Sequence, residues 1–339
     1  MKAKIKPRID LENRTKLETV IPLDVPFVIF VDPSDVCNFH CKFCPTGDIP
    51  LMKQVGRSLK VMDLELYKKI IDDICQFARP IKVLRLYKDG EPLLNPHLAE
   101  MIKYAKDKHC AEKIDTTTNA SLLTPEKSLA IIEAGLDRIN ISIEGVNAEQ
   151  YLNFSNYKID FAKLVENIRY LYDHRKNCEI IIKIPGDSLS EGDKRRFYEI
   201  FGDIADGVYI EHVMSCWPEF DLKGVEVNQE VGIYGQPIKE VQVCPYVFYS
   251  FSINSDGSAS LCFLDWSRKL IIGDAKTESV KDIWLGQKLR DYQKMFLTKQ
   301  RKSHPLCGRC GQLSHGLPDD IDIYAENLLE KINNKYGQK

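Results

Sequence analysis

This 339-residue chain lacks any apolar run long enough to cross a bilayer. Its longest apolar stretches, such as residues 26–31, are far shorter than the roughly 20 residues that a spanning helix requires. The lysine-containing N-terminus has no apolar core of the kind found in secretory signal peptides. Long repeats and low-complexity segments are also missing, and we therefore expect a cytoplasmic globular protein.

The sequence also lacks a net charge of one sign, since 47 Lys and Arg residues are matched by 49 Asp and Glu residues. The resulting net charge of −2 gives no basic field that would favour nucleic acid or a membrane surface. The 44% hydrophobic content indicates a globular core. In a reducing compartment, the eleven cysteines are expected to be metal ligands or core residues rather than disulfides.

Short β-branched segments alternate with segments of helical apolar spacing along most of the chain. The predicted strands are 27–31, 81–87, 113–118, 138–143, 179–184 and 207–213. The predicted helices are 64–77, 96–108, 125–134, 161–174 and 193–204, with Asp63 and Thr124 as N-caps. Repeated β-then-α units predict a parallel sheet with right-handed crossovers. Six such units favour an α/β fold built as an open, partial (β/α)6 barrel.

Three cysteines follow the first predicted strand at the spacing C-x3-C-x2-C, namely Cys37, Cys41 and Cys44. Three thiolates on one loop can ligate three irons of a cubane cluster and leave the fourth iron open. A zinc site is the alternative, with His40 completing a Cys3His set.

Polar residues follow the ends of several other predicted strands. They are Asp89-Gly90-Glu91-Pro92, Thr116-Thr117-Thr118-Asn119, Ser142 with Glu144, and His212 with Cys216. In (β/α) barrels the carboxyl ends of the strands carry the chemistry. The pattern therefore predicts one polar rim around a site.

The cysteine loop and these strand ends together resemble the radical SAM superfamily over roughly residues 26–215. The resemblance implies a [4Fe-4S] cluster held by the three cysteines and S-adenosylmethionine (SAM), with Phe43 as the aromatic residue before the last cysteine. It also implies SAM contacts from Gly90, Glu91, Pro92, Asn119, Ser142 and Glu144. Glu91 would accept hydrogen bonds from the methionyl amine, and Ser142 with Glu144 would hold the ribose. Asp89 and Ala120 depart from the family pattern, which has glycine at both places.

A second cysteine set lies near the C-terminus, where Cys244 and Cys262 are followed by Cys307 and Cys310 in a C-x2-C pair. Segments 248–253 and 258–263 predict a hairpin, and 280–296 predicts a helix. The arrangement resembles the SPASM/twitch extension of radical SAM enzymes. A full SPASM domain carries further cysteines after the C-x2-C pair, and residues 311–339 contain none, so the resemblance favours the twitch form with one auxiliary [4Fe-4S] cluster on these four cysteines. Structural zinc is the competing interpretation.

These patterns predict five regions. Residues 1–25 form an N-terminal extension, 26–215 the barrel, 216–243 a linker, 244–318 a small α+β cluster domain, and 319–339 a C-terminal helix or tail. Only about 25 residues precede the first strand, which is too few for an independent peptide-recognition domain.

The resemblance implies cleavage of SAM to a 5′-deoxyadenosyl radical that removes hydrogen from a substrate. We expect oxidation of a secondary alcohol of a small polyol (a sugar, aminocyclitol or sugar nucleotide), with the auxiliary cluster accepting an electron. Candidate catalytic residues are Cys216, His212 and Tyr87, and a flavodoxin- or ferredoxin-type donor would supply electrons. The alternatives are a radical epimerase or peptide maturase with Cys216 as hydrogen donor, and a zinc-binding structural module.

Overall fold

The computed structural model describes residues 1–10, 13–222, 224–225, 227–316 and 318–337. Ten strands run in chain order: β1 Lys4–Ile5, β2 Val28–Val31, β3 Ile81–Arg85, β4 Ala111–Thr118, β5 Arg138–Ser142, β6 Glu179–Pro185, β7 Gly207–Glu211, β8 Ser250–Ile253, β9 Ser258–Ser260 and β10 Ile271–Asp274. Each of the six predicted barrel strands is present; one end of each coincides with the prediction and the other differs by one or two residues.

The helices lie between and after these strands. They are α1 Leu17–Val20, α2 Ile49–Gln54, α3 Leu64–Ile74, α4 Leu98–Asp107, α5 Pro125–Glu133, α6 Ala148–Ser155, α7 Phe161–His174, α8 Glu191–Phe201, α9 Val280–Leu285, α10 Gln287–Leu297, α11 Gln312–His315 and α12 Ala325–Tyr336. Asp63 caps α3 by accepting from the amides of Glu65 and Leu66, and Thr124 caps α5, as predicted. The predicted helix 280–296 is broken at Gly286, whose extended backbone separates α9 from α10. None of the described helices is long and apolar enough to traverse a bilayer.

Strands β2 to β7 form a parallel array in chain order, and each neighbouring pair is connected through at least one helix. This confirms the α/β fold and the partial (β/α)6 barrel. The strands have two chemically different faces. Ile29 and Leu84 are fully buried in the apolar core, whereas Phe30 and Arg85 line an internal cavity. Alternation of side chains along these strands thus gives the barrel an apolar outer layer and an inner face that lines the cavity with both charged and aromatic residues.

The C-terminal extension joins the barrel sheet rather than forming a sheet of its own. Strand β8 pairs parallel with β2, and β9 and β10 continue the sheet antiparallel, in the order β1-β7-β6-β5-β4-β3-β2-β8-β9-β10. The predicted hairpin is present between β8 and β9, with shorter strands than the sequence indicated. Phe251 of β8 stacks on Trp284 of α9, whose indole N–H donates to the carbonyl of Leu23 (3.1 Å).

The first residues of the chain also belong to the sheet. Strand β1 pairs parallel with β7 at the opposite edge. Beyond β1, residues 8–10, 13–15 and 17 line the internal cavity together with strands β2 and β3. The N-terminal extension predicted from the sequence is therefore a wall of the barrel interior.

Candidate active site

The loop after β2 brings Cys37, Cys41 and Cys44 to the carboxyl end of the sheet. Its backbone is held by α6, since the amides of His40 and Lys42 donate to the carbonyls of Ser155 (2.8 Å) and Phe154 (3.2 Å). All three thiols are half-buried and free of disulfides. Helix α6 was not predicted, and its short sequence, 148–155, gives little periodic signal.

Two neighbours of the cysteines take different positions. The Phe43 ring packs against Phe154 with 5.2 Å between ring centroids, at the outer side of the loop. His40 is exposed, and its Nδ1 lies 3.0 Å from the Gly47 carbonyl oxygen. That contact gives His40 a local role in the loop and does not favour the Cys3His alternative.

Burial raises the pKa of each thiol in this loop, for Cys37 to about 12. The other thiols and nearby carboxylates, including Glu144 and Glu91, raise these pKa values further. Three thiolates placed this way need a compensating positive centre. An iron–sulfur cluster supplies one, and a three-thiolate set fits a cubane with one open iron.

The Gly90-Glu91-Pro92 turn lies against the cysteine loop. The Glu91 amide donates to the Val36 carbonyl (2.8 Å), and a Cβ on Gly90 would lie only 2.2 Å from the Ser34 oxygen. Only glycine permits this approach of two backbones. The turn thereby fixes its own backbone groups beside the cluster loop.

The Glu91 carboxylate is turned into the protein. It is 2% exposed and accepts from the Leu93 amide (3.0 Å), the Thr118 hydroxyl (2.5 Å) and the Asn119 amide (2.8 Å). The sequence interpretation gave this carboxylate to the methionyl amine. The observed bonds instead tie the turn to the end of β4, so we assign the carboxylate a positioning role and leave the amine to backbone groups of the turn.

Asn119 lies at the end of β4, in contact with the cysteine loop. Its side-chain amide donates to Asn38 Oδ1 (3.0 Å) and lies 3.8 Å from Cys37 Sγ. Its own oxygen accepts from the amide and hydroxyl of Ser121. Asn119 thus supports the loop that carries the first cysteine.

Ser142 is the last residue of β5, and Glu144 follows it on the same rim. Glu144 is 7% exposed, and its Oε2 has no hydrogen-bond partner among the described residues. Burial raises the pKa of Glu144 to about 7; Glu211 adds to the rise and Lys183 opposes it. A buried acceptor without a donor is costly, and a ribose hydroxyl would satisfy it.

The four C-terminal cysteines surround one small cavity of about 40 Å³. Cys244 precedes β8, Cys262 follows β9, and Cys307 and Cys310 lie in the loop before α11. The rest of the wall is mainly apolar, and burial raises the pKa of all four thiols. Four thiols about one apolar space fit a cluster whose protein ligands are complete.

The three catalytic candidates lie in different surroundings. Tyr87 lines the internal cavity and accepts from Arg85 Nη1 (2.6 Å). His212 is bound through Nδ1 to Asp187 Oδ1 (2.6 Å) and is absent from the cavity wall formed by the described residues. Cys216 is buried, and its carbonyl oxygen lies 3.9 Å from Cys310 Sγ.

A buried network of charges connects the extension to the barrel. Arg268 Nη1 donates to Asp89 Oδ2 (2.7 Å), and its Nη2 donates to Asp35 Oδ1 (2.9 Å). Asp35 also accepts from Arg57 Nε (2.7 Å). Arg268 belongs to the loop before β10, whereas Asp35 and Asp89 precede the cysteine loop and the Gly-Glu-Pro turn. Sequence reasoning missed this network because its members are far apart along the chain and form no motif.

The internal cavity has a volume of about 420 Å³. It is bounded by the N-terminal segment, β2, β3 and β8, and by residues of the extension. Aromatic side chains supply much of the wall, among them Phe30, Tyr87, Tyr234, Tyr246 and Phe263. Its size lies within the 300–1,000 Å³ typical of pockets for small molecules.

Two family profiles match this chain. Residues 31–195 match the Radical SAM superfamily, and residues 244–311 match the SPASM iron–sulfur cluster-binding domain. The first match contains the cysteine loop and strands β3 to β6, and the second contains all four C-terminal cysteines.

Individual relatives carry different activities. The chain is 22% identical to an AdoMet-dependent heme synthase from Methanosarcina barkeri, over 81% of this chain and 84% of that protein. It is 28% identical to a GTP 3′,8-cyclase from Chlorobaculum tepidum, but spans only 34% of that protein's length. The crystal structure of BtrN in complex with AdoMet and 2-DOIA has a TM-score of 0.55 and 18% identity, covering 88% of this chain and 98% of that one. At this identity the structural likeness establishes the fold.

Both profile matches agree with the placement of the two thiol sets, one at the carboxyl end of the parallel sheet and one in the extension. SAM and [4Fe-4S] clusters are the cofactors of such domains. The chain thus combines a radical SAM domain, residues 31–195, with a C-terminal SPASM-type iron–sulfur cluster-binding domain, residues 244–311.

Proposed function

We propose that this enzyme oxidises a secondary alcohol of a small polyol to a ketone. The observation that carries the proposal is the complete set of four thiols around one apolar cavity in the extension. A fully ligated cluster there has no position for substrate, but it can accept an electron. Oxidation of an alcohol radical needs such an acceptor, whereas epimerisation needs a hydrogen donor.

Each proposed residue has one task. Cys37, Cys41 and Cys44 hold the SAM-binding cluster, and Ser142 with Glu144 orient the ribose. Gly90 lets the turn approach the cysteine loop, where its backbone groups bind the methionyl amine, and the Glu91 carboxylate holds the turn in position. With SAM and both clusters bound, the cofactors supply a radical that removes hydrogen and an acceptor for one electron.

The balance of the reaction is that of a two-electron oxidation. The carbinol carbon gives up a hydrogen atom, then one electron, while its hydroxyl gives up a proton as the C=O bond forms. The proton needs an acceptor at the cavity. Tyr87 lies there, bonded to Arg85, whereas His212 is held by Asp187 outside the described wall. We therefore retain Tyr87 as the candidate for handling the proton and not His212.

The substrate we propose is a sugar, aminocyclitol or sugar nucleotide. The cavity of about 420 Å³ suits such a molecule, and the N-terminal segment covers part of it. Electrons would come from a flavodoxin- or ferredoxin-type protein.

A radical epimerase or peptide maturase is the second candidate, with Cys216 as hydrogen donor. The position of Cys216 favours it, because its carbonyl oxygen lies 3.9 Å from Cys310 Sγ, beside the second thiol set. Met214, however, contributes to the cavity wall whereas Cys216 does not.

Product analysis in deuterium oxide separates the two candidates. For a dehydrogenase we expect a ketone product, no solvent deuterium on carbon, and turnover that survives Cys216→Ala. Replacing Cys262 with Ala should abolish turnover while SAM cleavage is still detected. Deuterium at an inverted carbon, together with loss of turnover in Cys216→Ala, would establish the epimerase instead.

The zinc-binding structural module is tested by composition. After anaerobic reconstitution we expect iron and sulfide in the protein and a broad absorption near about 400 nm. A colourless protein that retains two zinc ions would contradict the enzyme proposal as a whole.

A further inference from the structure

The inner part of the cavity concentrates basic side chains. Five of them contribute to its wall, against two acidic ones, Asp10 and Asp319. The five are Arg8, Arg14, Lys82, Arg85 and Arg138. Such a concentration inside a barrel is costly unless something negative compensates it.

Two of these cations are neutralised by close carboxylates. Arg14 forms a bidentate pair with Asp319 at 2.7 and 2.6 Å. Arg138 bonds to Glu179 at 2.6 Å, and Lys6 also bonds to that carboxylate. These ion pairs leave little of either charge for a ligand.

The other three have weaker compensation. Arg8 Nε lies 3.9 Å from Glu211, and Arg85 Nε lies 3.9 Å from Asp115, both beyond hydrogen-bond distance. Each of these buried Nε atoms has no hydrogen-bond partner among the described residues. Lys82 donates to the Thr15 hydroxyl and lies over the Phe27 ring.

The arginines also converge on one another. Burial raises the pKa of the Asp115 carboxyl group, and the positive charges of Arg85, Arg138 and Arg8 each oppose this rise. Burial and the charge of Arg8 both act to lower the pKa of Arg85, the latter because like charges repel. Among the described residues, the charged groups of the wall, the carboxylates that pair with them and the lysines that share those carboxylates comprise seven basic and five acidic groups. The basic groups are Lys6, Arg8, Arg14, Lys82, Arg85, Arg138 and Lys183, and the acidic groups are Asp10, Asp115, Glu179, Glu211 and Asp319.

We infer that the substrate carries an anionic group, a phosphate or a carboxylate, which binds between Arg8 and Arg85 in this cavity. Arg8 and Arg85 are each bonded to a tyrosine hydroxyl, Tyr234 and Tyr87, rather than closely paired with a carboxylate. Their guanidinium groups therefore keep a positive charge and a planar set of donors that match the multiple acceptors of a phosphate or carboxylate. This inference rests on the proposed function only in taking the cavity as the substrate site. It narrows the polyol to one that bears a negative charge.

Binding of simple anions to the reconstituted full-length protein tests the inference without turnover. Inorganic phosphate and succinate would each be titrated by calorimetry into the native protein, Arg8→Gln and Arg85→Gln. We expect saturable binding of at least one anion and a loss of roughly tenfold or more in each variant. Lys103→Gln, which removes an exposed cation on α4, should leave the affinity unchanged.

The pattern of binding identifies the anion. Binding of phosphate alone indicates a phosphorylated substrate, and binding of succinate alone indicates a carboxylate. No saturable binding of either anion to the folded native protein would overturn the inference. Equal affinity in the native protein and both arginine variants would overturn it too.

A second measurement needs no variant. Phenylglyoxal modification of the native protein would be mapped by mass spectrometry with and without the bound anion. Arg8 and Arg85 should be protected, and the exposed Arg195 should not.

A protein that binds the anion but forms no ketone contradicts only the proposed reaction. One that oxidises neutral and anionic polyols with equal kcat/KM contradicts only the anion site.

Discussion

At the scale of single residues, Glu144 is the clearest case of a buried side chain whose hydrogen-bonding capacity the described protein groups do not satisfy. Its buried Oε2 lacks a partner among the described residues, and its pKa is raised to about 7 by burial. Glu91, by contrast, already accepts three hydrogen bonds from the protein. The two carboxylates therefore differ in what a substitution should do.

Glu144→Gln should weaken SAM binding by about 1–3 kcal/mol, because the charged acceptor for the ribose hydroxyl becomes a neutral amide that accepts a weaker hydrogen bond and can present its NH2 group instead. Cluster content should not change, since no ligand is touched. In the native enzyme, SAM affinity should rise from pH 6 to pH 8 as Glu144 loses its proton near pH 7. In the variant this rise should be absent.

Equilibrium SAM binding at several pH values measures both effects. Glu149→Gln removes an exposed carboxylate five residues away at the start of α6 and is the matched control. Native-like affinity in Glu144→Gln would show that the carboxylate does not hold the ribose.

Gly90→Ala should disturb the cysteine loop through the backbone. The added Cβ would lie 2.2 Å from the Ser34 oxygen and 2.3 Å from the Val36 oxygen, so the two loops must separate. We expect a stability loss of about 1–3 kcal/mol, the usual scale for overpacking, with reduced iron content in the first cluster. Thermal unfolding and iron analysis measure the two effects.

The control for this substitution is Gly192→Ala in α8. There the nearest side-chain atom to the new Cβ is 3.6 Å away, an ordinary contact. Its stability should stay equal or improve, because alanine favours a helix over glycine. If both variants behave alike, the close approach at Gly90 has no structural consequence.

At the scale of secondary-structure elements, the two thiol sets lie in loops on different parts of the sheet. The first follows β2, and the second is distributed around β8, β9 and α11. In our assignment, no cysteine is a ligand of both clusters. Their metal contents should therefore be separable.

The triple Cys→Ala variant of Cys37, Cys41 and Cys44 should retain about four irons, the content of one cubane. The complementary variant at Cys262 should lose iron from the extension and keep SAM-dependent chemistry at the first loop. Iron and sulfide analysis after anaerobic reconstitution provides the measurement. Complete loss of iron in the triple variant would argue against two independent sites.

Arg268 pairs with Asp35 and Asp89, which lie in two different loops, so its removal should destabilise both loops. Arg268→Gln leaves Asp35 and Asp89 with less compensation, and both carboxylates are about 1% exposed in their side chains. We expect a loss of about 3–5 kcal/mol, as for breaking a buried ion pair. Urea unfolding monitored by circular dichroism gives the free energy of unfolding.

The neighbouring Lys269→Gln is the matched control. Lys269 forms a surface ion pair with Glu219, and its side chain is 54% exposed, so its loss should cost less than about 1 kcal/mol. Equal effects of the two substitutions would mean that the buried network contributes no specific coupling between extension and barrel.

At the scale of the whole molecule, the barrel and the extension share one sheet. Strand β8 covers the edge of β2 through four paired residues, and α9 packs on β8. Without the extension, β2 would present an open parallel edge and an uncovered apolar surface. The two profile matches thus correspond to sequence regions that are structurally continuous.

A chain that ends at residue 243 should therefore be poorly soluble and lack a cooperative unfolding transition. Solubility after expression and thermal unfolding by circular dichroism provide the test. A four-residue Gly/Ser insertion after Gly224 keeps both parts, and a longer loop costs little. This control should unfold cooperatively. A soluble, cooperatively folding fragment 1–243 would show that the barrel is independent of its extension.

The sequence determined the local features of this protein. Short β-branched runs predicted the six barrel strands, and helical apolar spacing predicted the five longer barrel helices, because both signals lie within single segments of the chain. The cysteine spacings and the residues at strand ends predicted both thiol sets and the rim, because these signals lie within short segments of chain. The caps at Asp63 and Thr124 were predictable for the same reason.

Only the tertiary structure determined what depends on long-range contacts. The sequence did not indicate that β8 pairs with β2, that the N-terminal segment lines the cavity, or that Arg268 reaches Asp35 and Asp89. It assigned the Glu91 carboxylate to SAM, whereas this carboxylate accepts hydrogen bonds from Leu93 in its own turn and from Thr118 and Asn119 at the end of β4. Arg8 and Arg85 are 77 positions apart along the chain. From the sequence, each of them would ordinarily be expected at the protein surface. Their meeting inside the barrel follows from strand pairing and burial, which no local pattern of residues specifies.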